Sequence, residues 1–161
     1  MSLPPPPTLV PRHGPTDLSG YEVPHPAPFV CELLIDDGCV GAVIEHVPNV
    51  EYVRWLDRAA QLHAEALGYP YQRLIDEGLM WFVSRHEIDY LAEVWPGDEL
   101  FVATWVRDLR RVKSWRDYVV VRPRDKRVVC RAATLWVLVD LATRRPGRIP
   151  PEMARAFAAS S

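Results

Sequence analysis

One segment of the chain repeats its apolar residues every 3.6 positions, and this segment restricts the possible folds more than any other feature. Residues 49–67 carry two neighbouring apolar stripes and only a narrow polar face, which is typical of one long buried helix. Asn49 is expected to cap its start and Gly68 to end it. The stripes consist of Val53, Leu56, Ala60, His63 and Leu67 and of Tyr52, Trp55, Ala59, Leu62 and Ala66. A helix enclosed on more than half of its circumference needs other elements to wrap around it.

The segments available to wrap this helix have the composition of β-strands. One precedes the helix, at residues 29–35, and four follow it, at residues 79–91, 99–109, 113–122 and 127–140. Short turn signals separate the last four, so these strands are predicted to pair antiparallel. The sequence therefore predicts an α+β domain in which a five-stranded antiparallel sheet curls around one long buried helix.

Within the first of the four later strands, alternation predicts which side chains face the helix. Phe82, Ser84 and His86 fall on the helix-facing side, whereas Arg85 and Glu87 fall on the other. An ordinary cross-strand ion pair is the simplest expectation for Glu87, although a place near the active site is the alternative.

The first 28 residues differ from the rest of the chain in composition. They contain nine of the 16 prolines, including four in succession at Pro4–Pro7. Such a segment is predicted to form an extended, flexible arm on the surface, with residues 29–161 as the folded domain. A proline ligand for a partner's groove is the less favoured alternative.

The composition excludes several classes of function. Nineteen basic against 21 acidic residues give a net charge of -2, so no global field attracts nucleic acid or an anionic membrane. No apolar run is long enough to span a bilayer. The three cysteines do not form a disulfide framework, and no Cys or His pair has zinc-ligand spacing. A cytoplasmic protein without a bound metal is therefore expected.

Several short motifs together resemble one enzyme family. Residues 46–55 read H-V-P-N-V-E-Y-V-R-W, and this segment resembles the H-V-N-N-x-x-Y-x-R-W/Y segment of acyl-CoA thioesterases similar to 4-hydroxybenzoyl-CoA thioesterase. Further matches follow in the family's order at residues 87–91, Gly97-Asp98, Lys113-Ser114 and 139–150. The resemblance covers nearly everything from Phe29 to Glu152, and it implies the hotdog fold.

The resemblance also implies a function and an assembly. The reaction would be hydrolysis of a thioester between an acyl group and coenzyme A or an acyl-carrier protein, without a cofactor. The active site would lie at the interface of a homodimer whose sheets join edge to edge, with a dimer of dimers as a further assembly. Backbone N–H groups at the start of the buried helix would bind the oxyanion, and Asn49 and Tyr52 would position the substrate.

One position departs from the family pattern in a way that bears on catalysis. The family usually has an aspartate four residues before the motif histidine, and this chain has Ala42 there. Glu45 is the nearest acidic replacement, and Asp36 or Asp37 could take the role through an insertion. His46 is the third candidate base, because histidine titrates near neutral pH. Asn49 would donate to the substrate carbonyl or, alternatively, only cap the helix.

Other residues are candidates for binding the substrate. His63 lines the acyl pocket or, more simply, is a core histidine on the apolar stripe. Arg110, Arg111 and Lys113 belong to a basic hairpin that also includes Arg107 and Arg116. The hairpin would hold the phosphates of coenzyme A, or it would be a solvated tip that keeps the sheet edge soluble.

Two other functions stay open on the sequence. Loss of the usual aspartate favours a non-catalytic hotdog module that binds acyl thioesters or a protein partner. A hotdog dehydratase acting on hydroxyacyl thioesters ranks below it, because no Asp and His stand in the arrangement that this reaction needs.

Overall fold

A computed structural model describes residues 7–39 and 46–158, and its centre is one antiparallel sheet. The strands are β1 (Leu9–Pro11), β2 (Phe29–Leu34), β3 (Leu79–Tyr90), β4 (Glu99–Arg110), β5 (Lys113–Arg122), β6 (Arg127–Asp140) and β7 (Arg145–Pro146). The helices are α1 (Asn49–Ala66), α2 (Tyr71–Asp76) and α3 (Pro151–Ala158), with 3-10 turns at Asp37–Cys39 and Pro123–Asp125.

The strands follow the order β1-β2-β4-β5-β6-β3, and β7 pairs with β6. The five predicted strands and their antiparallel pairing are confirmed. The sheet has two further strands, β1 and β7, which were not predicted because each has only two or three residues and contains a proline. The order leaves β3 at one edge, with its 12 residues paired only to β6 among the described strands.

Helix α1 lies in the concavity of the sheet, as its two apolar stripes predict. Trp55, Leu56 and Ala59 are fully buried, and they pack with side chains from β2, β4, β5 and β6 in the main core. Full burial of a large apolar side chain stabilises the fold by about 1.5–3 kcal/mol, so Trp55 and Leu56 alone contribute several kcal/mol to the stability of the core.

The C-terminal end of α1 agrees with the sequence prediction, but the N-terminal end does not. Gly68 follows the helix with a φ of 87°, and the Tyr69 N–H donates to the Ala64 carbonyl at 2.8 Å, which closes the helix as expected. At the start, Pro48 and not Asn49 is the capping residue, so the expected N-cap role of Asn49 is wrong. The extended backbone of Pro48, with φ -70° and ψ 152°, suits the position before a helix, and it places Asn49 inside the first turn.

A β-bulge at Ser84 corrects the predicted alternation along β3. Val83 pairs with Trp136 and Arg85 pairs with Leu135, so Ser84 is an extra residue on the bulged strand. Trp81 packs against the main core and against a second apolar cluster that includes Met153 and Phe157 of α3, whereas Phe82 is 46% exposed. The helix-facing side chains are therefore Trp81 before the bulge and His86 and Ile88 after it, because the inserted residue reverses the alternation.

Residues 7–28 pack against the sheet instead of standing apart from it as an arm. Strand β1 pairs with β2, and Tyr21 is buried with Trp105 and Val121 on the outer face of the sheet. Arg131 fastens this segment by donating to the Tyr21 carbonyl at 2.6 Å. The apolar residues between the prolines explain the difference, because proline removes backbone donors but does not prevent side-chain burial.

Among the described residues, no helix has both the length and the apolar character that a membrane crossing needs.

Candidate active site

A cleft opens at the start of α1, where the end of β3 and the segment after it approach the helix. Its volume is about 250 Å³. The structure brings together three predicted site residues here, His46, Asn49 and Tyr52, beside Tyr90 and Glu93. The topology explains this meeting, because β3 runs antiparallel to β6 beneath the helix and ends next to the first turn of α1.

The first turn of α1 offers backbone donors to this cleft. Pro48 has no side-chain acceptor, and no side chain among the described residues caps the helix. The Val47 N–H donates to the Val94 carbonyl at 3.1 Å, which holds the chain in place just before the helix. The first N–H groups of a helix have no partner within it, and the helix dipole adds positive potential there. The N–H groups of Asn49 and Val50 are therefore suited to bind an oxyanion.

Tyr52 forms the inner wall of the cleft. It is 3% exposed, its hydroxyl donates to the Ala92 carbonyl at 3.3 Å, and its ring meets the edge of Tyr90 at 5.1 Å. Burial raises the pKa of the Tyr52 hydroxyl to about 12. The side chain can therefore shape the cleft and hold the segment after β3, but it does not ionise near neutral pH.

His46 and Asn49 stand on the more open side of the cleft. The ring of His46 is half-buried and meets the edge of Trp95 at 6.4 Å. Asn49 is exposed at the first position of α1, so its amide can reach a ligand in the cleft. Both residues can position a substrate or a water molecule by hydrogen bonding.

Glu93 is the carboxylate that sequence reasoning missed. It lines the cleft with His46 and Asn49, and its side chain is exposed. Its backbone is fixed because Arg122 Nη1 donates to the Glu93 carbonyl at 2.9 Å. Nothing in the local sequence marks Glu93, because only the sheet order brings the end of β3 to the start of α1. The family aspartate is replaced by Ala42 in this sequence, and Glu93 brings an acidic residue to the cleft from the segment between β3 and β4.

The carboxylates predicted from the sequence are Glu45, Asp36 and Asp37. Glu45 and Ala42 lie outside the described residues. Asp36 accepts from the Gly38 N–H at 2.9 Å in an exposed turn, and Asp37 begins the 3-10 turn beside it. Neither has a place in the cleft lining.

A further carboxylate lies two turns along α1. Asp57 Oδ2 accepts from the Gln61 amide at 2.6 Å, and its charge acts on His86 of β3. Burial raises the pKa of Asp57, with the Gln61 hydrogen bond opposing the shift. His86 hydrogen bonds Thr134 at 2.9 Å, and burial lowers its pKa. This pair is separate from the cleft at the start of the helix.

His63 lies deep between α1 and the sheet, away from the cleft. Arg116 Nη1 donates to His63 Nδ1 at 2.7 Å, and the ring stacks on Phe29 with centroids 4.8 Å apart. Burial first, and the charge of Arg116 second, lower the pKa of His63 to about 3. The imidazole is therefore neutral at physiological pH, which agrees with its position on the apolar stripe.

The predicted phosphate-binding residues are exposed at the β4–β5 hairpin. Arg110, Arg111 and Lys113 stand at its tip, with Arg110 paired to Asp108 at 2.8 Å. Arg116 differs from the rest of the basic cluster, because it is only 3% exposed and points into the protein. Strand β4 runs about 36 Å from the cleft end of the sheet to this tip at 3.3 Å per residue. Within one protomer, the hairpin therefore lies far from the cleft.

The described cysteines are poor nucleophiles. Cys31 and Cys130 are completely buried, and burial raises the pKa of each thiol to about 12. No group of three metal-ligating side chains comes together in residues 7–39 and 46–158.

We expect the thiols of Cys31 and Cys130 to react with iodoacetamide at pH 8 at least ~100-fold more slowly in the native protein than in denaturant. The reason is that the reactive thiolate is scarce at this pH and the sulfur is shielded from solvent. Time-resolved mass spectrometry of alkylated peptides measures each site separately. Equal rates in the native and denatured protein would show that these sites open readily.

The sequence matches one protein family and several curated proteins. Residues 35–157 match the family profile described as the Thioesterase-like superfamily. The palmitoyl-acyl carrier protein thioesterase of Gossypium hirsutum is 30% identical over 98 residues, which are 60% of this chain and 23% of that protein. The chain thus spans about a fifth of the length of its curated relatives.

Solved structures share the fold at low sequence identity. The 1,4-dihydroxy-2-naphthoyl-CoA thioesterase Slr0204 from Synechocystis superposes with a TM-score of 0.75 at 18% identity, over 82% of this chain and 96% of that one. The 12:0-ACP thioesterase from Umbellularia californica gives 0.71 at 22% identity, over 82% and 53% of the two chains. The predicted hotdog fold and family resemblance are confirmed by these matches and by the profile, and the protein belongs to the Thioesterase-like superfamily.

Proposed function

We propose that the cleft at the start of α1 hydrolyses an acyl thioester. The observation that carries this proposal is the uncapped first turn of α1 beside a cleft whose lining includes both Asn49 of that turn and the acidic residue Glu93. A thioester hydrolase needs donors for the developing oxyanion and a base for the attacking water, and this cleft offers both.

The proposed reaction proceeds by direct attack of water. The N–H groups of Asn49 and Val50 hold the thioester carbonyl oxygen while Glu93 takes a proton from the water. The water oxygen bonds to the carbonyl carbon, the C–S bond breaks, and the thiolate leaves with a proton that returns from Glu93. His46 and the Asn49 amide position the water and the carbonyl. Glu45, outside the described residues, remains the competing candidate for the base.

The proposed substrate is an acyl-CoA or an acyl-carrier-protein thioester. Matched proteins act on both carriers, since the Synechocystis relative is a naphthoyl-CoA thioesterase and the Gossypium hirsutum relative is an acyl-carrier-protein thioesterase. Arg110, Arg111 and Lys113 would bind the carrier's phosphates, in the proposed dimer from the partner subunit. His63 does not line the cleft, because it lies beside Arg116 between α1 and the sheet. Its part in binding the acyl group stays a prediction.

Turnover of a substrate panel tests the proposal. Purified protein is offered short, long and aromatic acyl-CoAs, and release of free thiol is followed. Hydrolysis of at least one class above the uncatalysed rate is the expected result. Binding of acyl-CoA without turnover would contradict it and favour the non-catalytic module, and hydration of a trans-2-enoyl-CoA would favour the dehydratase.

We also propose a homodimer formed through the β3 edge. This strand has one side of its backbone without a strand partner in the described chain, and it presents exposed apolar side chains such as Phe82, Val83 and Leu91 beside it. A long, apolar edge strand readily pairs with another strand. Two-fold antiparallel pairing would join two sheets into one and bring the start of one β3 beside the end of the other.

Light scattering after size-exclusion chromatography is expected to give twice the protomer mass of 18.4 kDa. Phe82→Lys should shift the protein towards the monomer, because a lysine on the strand discourages edge-to-edge pairing. Arg127→Lys, at the exposed first residue of β6, serves as a control with unchanged mass. A monomeric wild-type protein at micromolar concentration would contradict the proposed interface.

A further inference from the structure

Arg116 of β5 is a buried cation without an acidic partner in the part of the chain that the structure describes. It is 3% exposed, and its two hydrogen bonds go to neutral acceptors, His63 Nδ1 at 2.7 Å and Thr104 Oγ1 at 3.2 Å. His63 cannot balance the charge because its imidazole is neutral. A guanidinium remains charged in proteins, and burying an unpaired charge is unfavourable.

The other buried arginine shows how this chain usually neutralises such a charge. Arg122 is 5% exposed, and its guanidinium pairs with Asp98 at 2.8 Å and with Asp125 at 2.9 Å. Arg116 lies on the same strand, six residues earlier, and the described residues place no carboxylate within 4.0 Å of it. The difference suggests that Arg116 is held for a ligand, because a purely structural cation would be paired.

Arg116 faces a small cavity between α1, α2, α3 and the sheet. The cavity measures about 40 Å³, and its polar lining includes Gln61, Tyr71, Ser114 and Arg116. Trp81 also lines it, and the indole N–H of Trp81 is buried without a hydrogen-bond acceptor among the described residues. The space holds a group of the size of a few water molecules, and the donors around it require an acceptor.

We infer that this cavity binds a carboxylate carried by the acyl group of the substrate, with Arg116 as the specificity-determining residue. This inference rests on the proposed thioesterase function, and it narrows the substrate to the monothioester of a dicarboxylic acid. A carboxylate supplies the missing negative charge and accepts two parallel hydrogen bonds from a guanidinium. The Ser114 hydroxyl and the Trp81 indole N–H add donors for its remaining lone pairs.

The proposed dimer brings this cavity near a cleft. Within one protomer, Ala60 of the cavity lies about 12 Å along α1 from Tyr52 of the cleft at 1.5 Å per residue. Trp81 of the cavity stands near the start of β3, whereas Tyr90 of the cleft stands at its end. Antiparallel pairing of two β3 edges therefore sets the cavity of one subunit beside the cleft of the other. A thioester in one cleft can then extend its acyl group towards the partner's cavity.

The first test compares two substrates of equal length. We expect wild-type protein to hydrolyse glutaryl-CoA or adipoyl-CoA with a kcat/KM about 10- to 100-fold higher than the corresponding methyl-ester acyl-CoA, because hydrogen bonds to charged groups are worth this much. Arg116→Met should remove the preference, and Arg116→Lys should keep part of it. Arg127→Met, an exposed arginine on β6, is the matched control and should retain the wild-type preference.

The second test needs no turnover, so it separates this inference from the proposed function. Free glutarate or adipate should raise the thermal midpoint of wild-type protein and of Arg127→Met, but not of Arg116→Met, and the neutral diamides should have no effect. A dicarboxylate shift that depends on Arg116 in a protein without hydrolase activity would support the cavity and contradict the function. Equal kcat/KM for charged and neutral substrates, or no dicarboxylate shift in wild-type protein, would overturn the inference even if the enzyme is active.

The stability of Arg116→Met supplies an independent check. Replacing a buried charge that has no acidic partner by an apolar side chain removes the cost of burying that charge, and the Thr104 hydroxyl keeps its hydrogen bond to the Asp117 carbonyl. The free energy of unfolding is therefore expected to stay at or above the wild-type value. A large loss of stability in both Arg116→Met and Arg116→Lys would show that Arg116 is held for the fold, and would overturn the assignment.

Discussion

Glu93→Gln is expected to lower kcat for thioester hydrolysis about 100-fold or more while leaving the fold intact. A positioned general base contributes about 10²- to 10⁴-fold to a rate, and glutamine keeps the shape of the side chain but cannot take the proton from water. Because the side chain is exposed in the cleft, its loss removes no core contact. Steady-state thiol release across saturating substrate concentrations separates the effect on kcat from any effect on KM.

Three matched variants identify the base. Glu99→Gln, an exposed glutamate at the start of β4, should retain wild-type activity. Asp57→Asn removes the carboxylate two turns along α1, and Glu45→Gln removes the one predicted from the sequence. If Glu93→Gln keeps the wild-type kcat while Asp57→Asn or Glu45→Gln loses most of it, the base is Asp57 or Glu45, and the role of Glu93 is contradicted.

Asp98→Asn is expected to destabilise the protein by about 3 kcal/mol, because removing the buried carboxylate leaves the buried Arg122 guanidinium with only the exposed carboxylate of Asp125 as a partner. Asp98 is 1% exposed and binds Arg122 and Arg124, each at 2.8 Å, while its Oδ2 accepts from the Trp95 N–H at 3.1 Å. Denaturant unfolding monitored by tryptophan fluorescence measures the loss of stability. An unchanged dependence of the unfolding free energy on denaturant concentration would show that the variant exposes as much surface on unfolding as the wild type.

The same arginine provides the control for this prediction. Asp125 also pairs with Arg122, but it stands in an exposed 3-10 turn. Asp125→Asn should therefore destabilise the protein much less, since exposed ion pairs contribute little. Similar midpoints for Asp98→Asn and Asp125→Asn would contradict the account of the buried pair. Arg122 also holds the Glu93 carbonyl, so Asp98→Asn should weaken catalysis as well as stability.

The long helix and the strands were predictable because their apolar side chains recur at a regular spacing, about every 3.6 residues in the helix and every second residue in the strands. The apolar stripes of residues 49–67 required a buried helix, and the β-rich segments separated by turn signals required antiparallel strands around it. What these patterns could not reveal is a single inserted residue. The bulge at Ser84 reverses the alternation of β3 without any change in composition, so the sequence placed Phe82 on the wrong face.

The site was predictable only where one continuous segment builds it. His46, Asn49 and Tyr52 share the motif around the start of α1, and the structure brings them into one cleft. Glu93 lies in the segment between β3 and β4, and the order of strands in the sheet decides that this segment lies next to the start of α1. Arg116 was grouped with an exposed hairpin because sequence spacing alone does not show that a strand carries its side chain into the core.

The central claim is that a thioester binds with its carbonyl at the first turn of α1. A crystal structure with an acyl-CoA analogue in which a methylene replaces the sulfur tests this claim most directly, because the ketone keeps the carbonyl but cannot be hydrolysed. We expect the carbonyl oxygen to lie about 2.7–3.1 Å from the N–H of Asn49 or Val50, with Glu93 within reach of the attacking water. An analogue bound with its carbonyl away from α1 and Glu93 would contradict it.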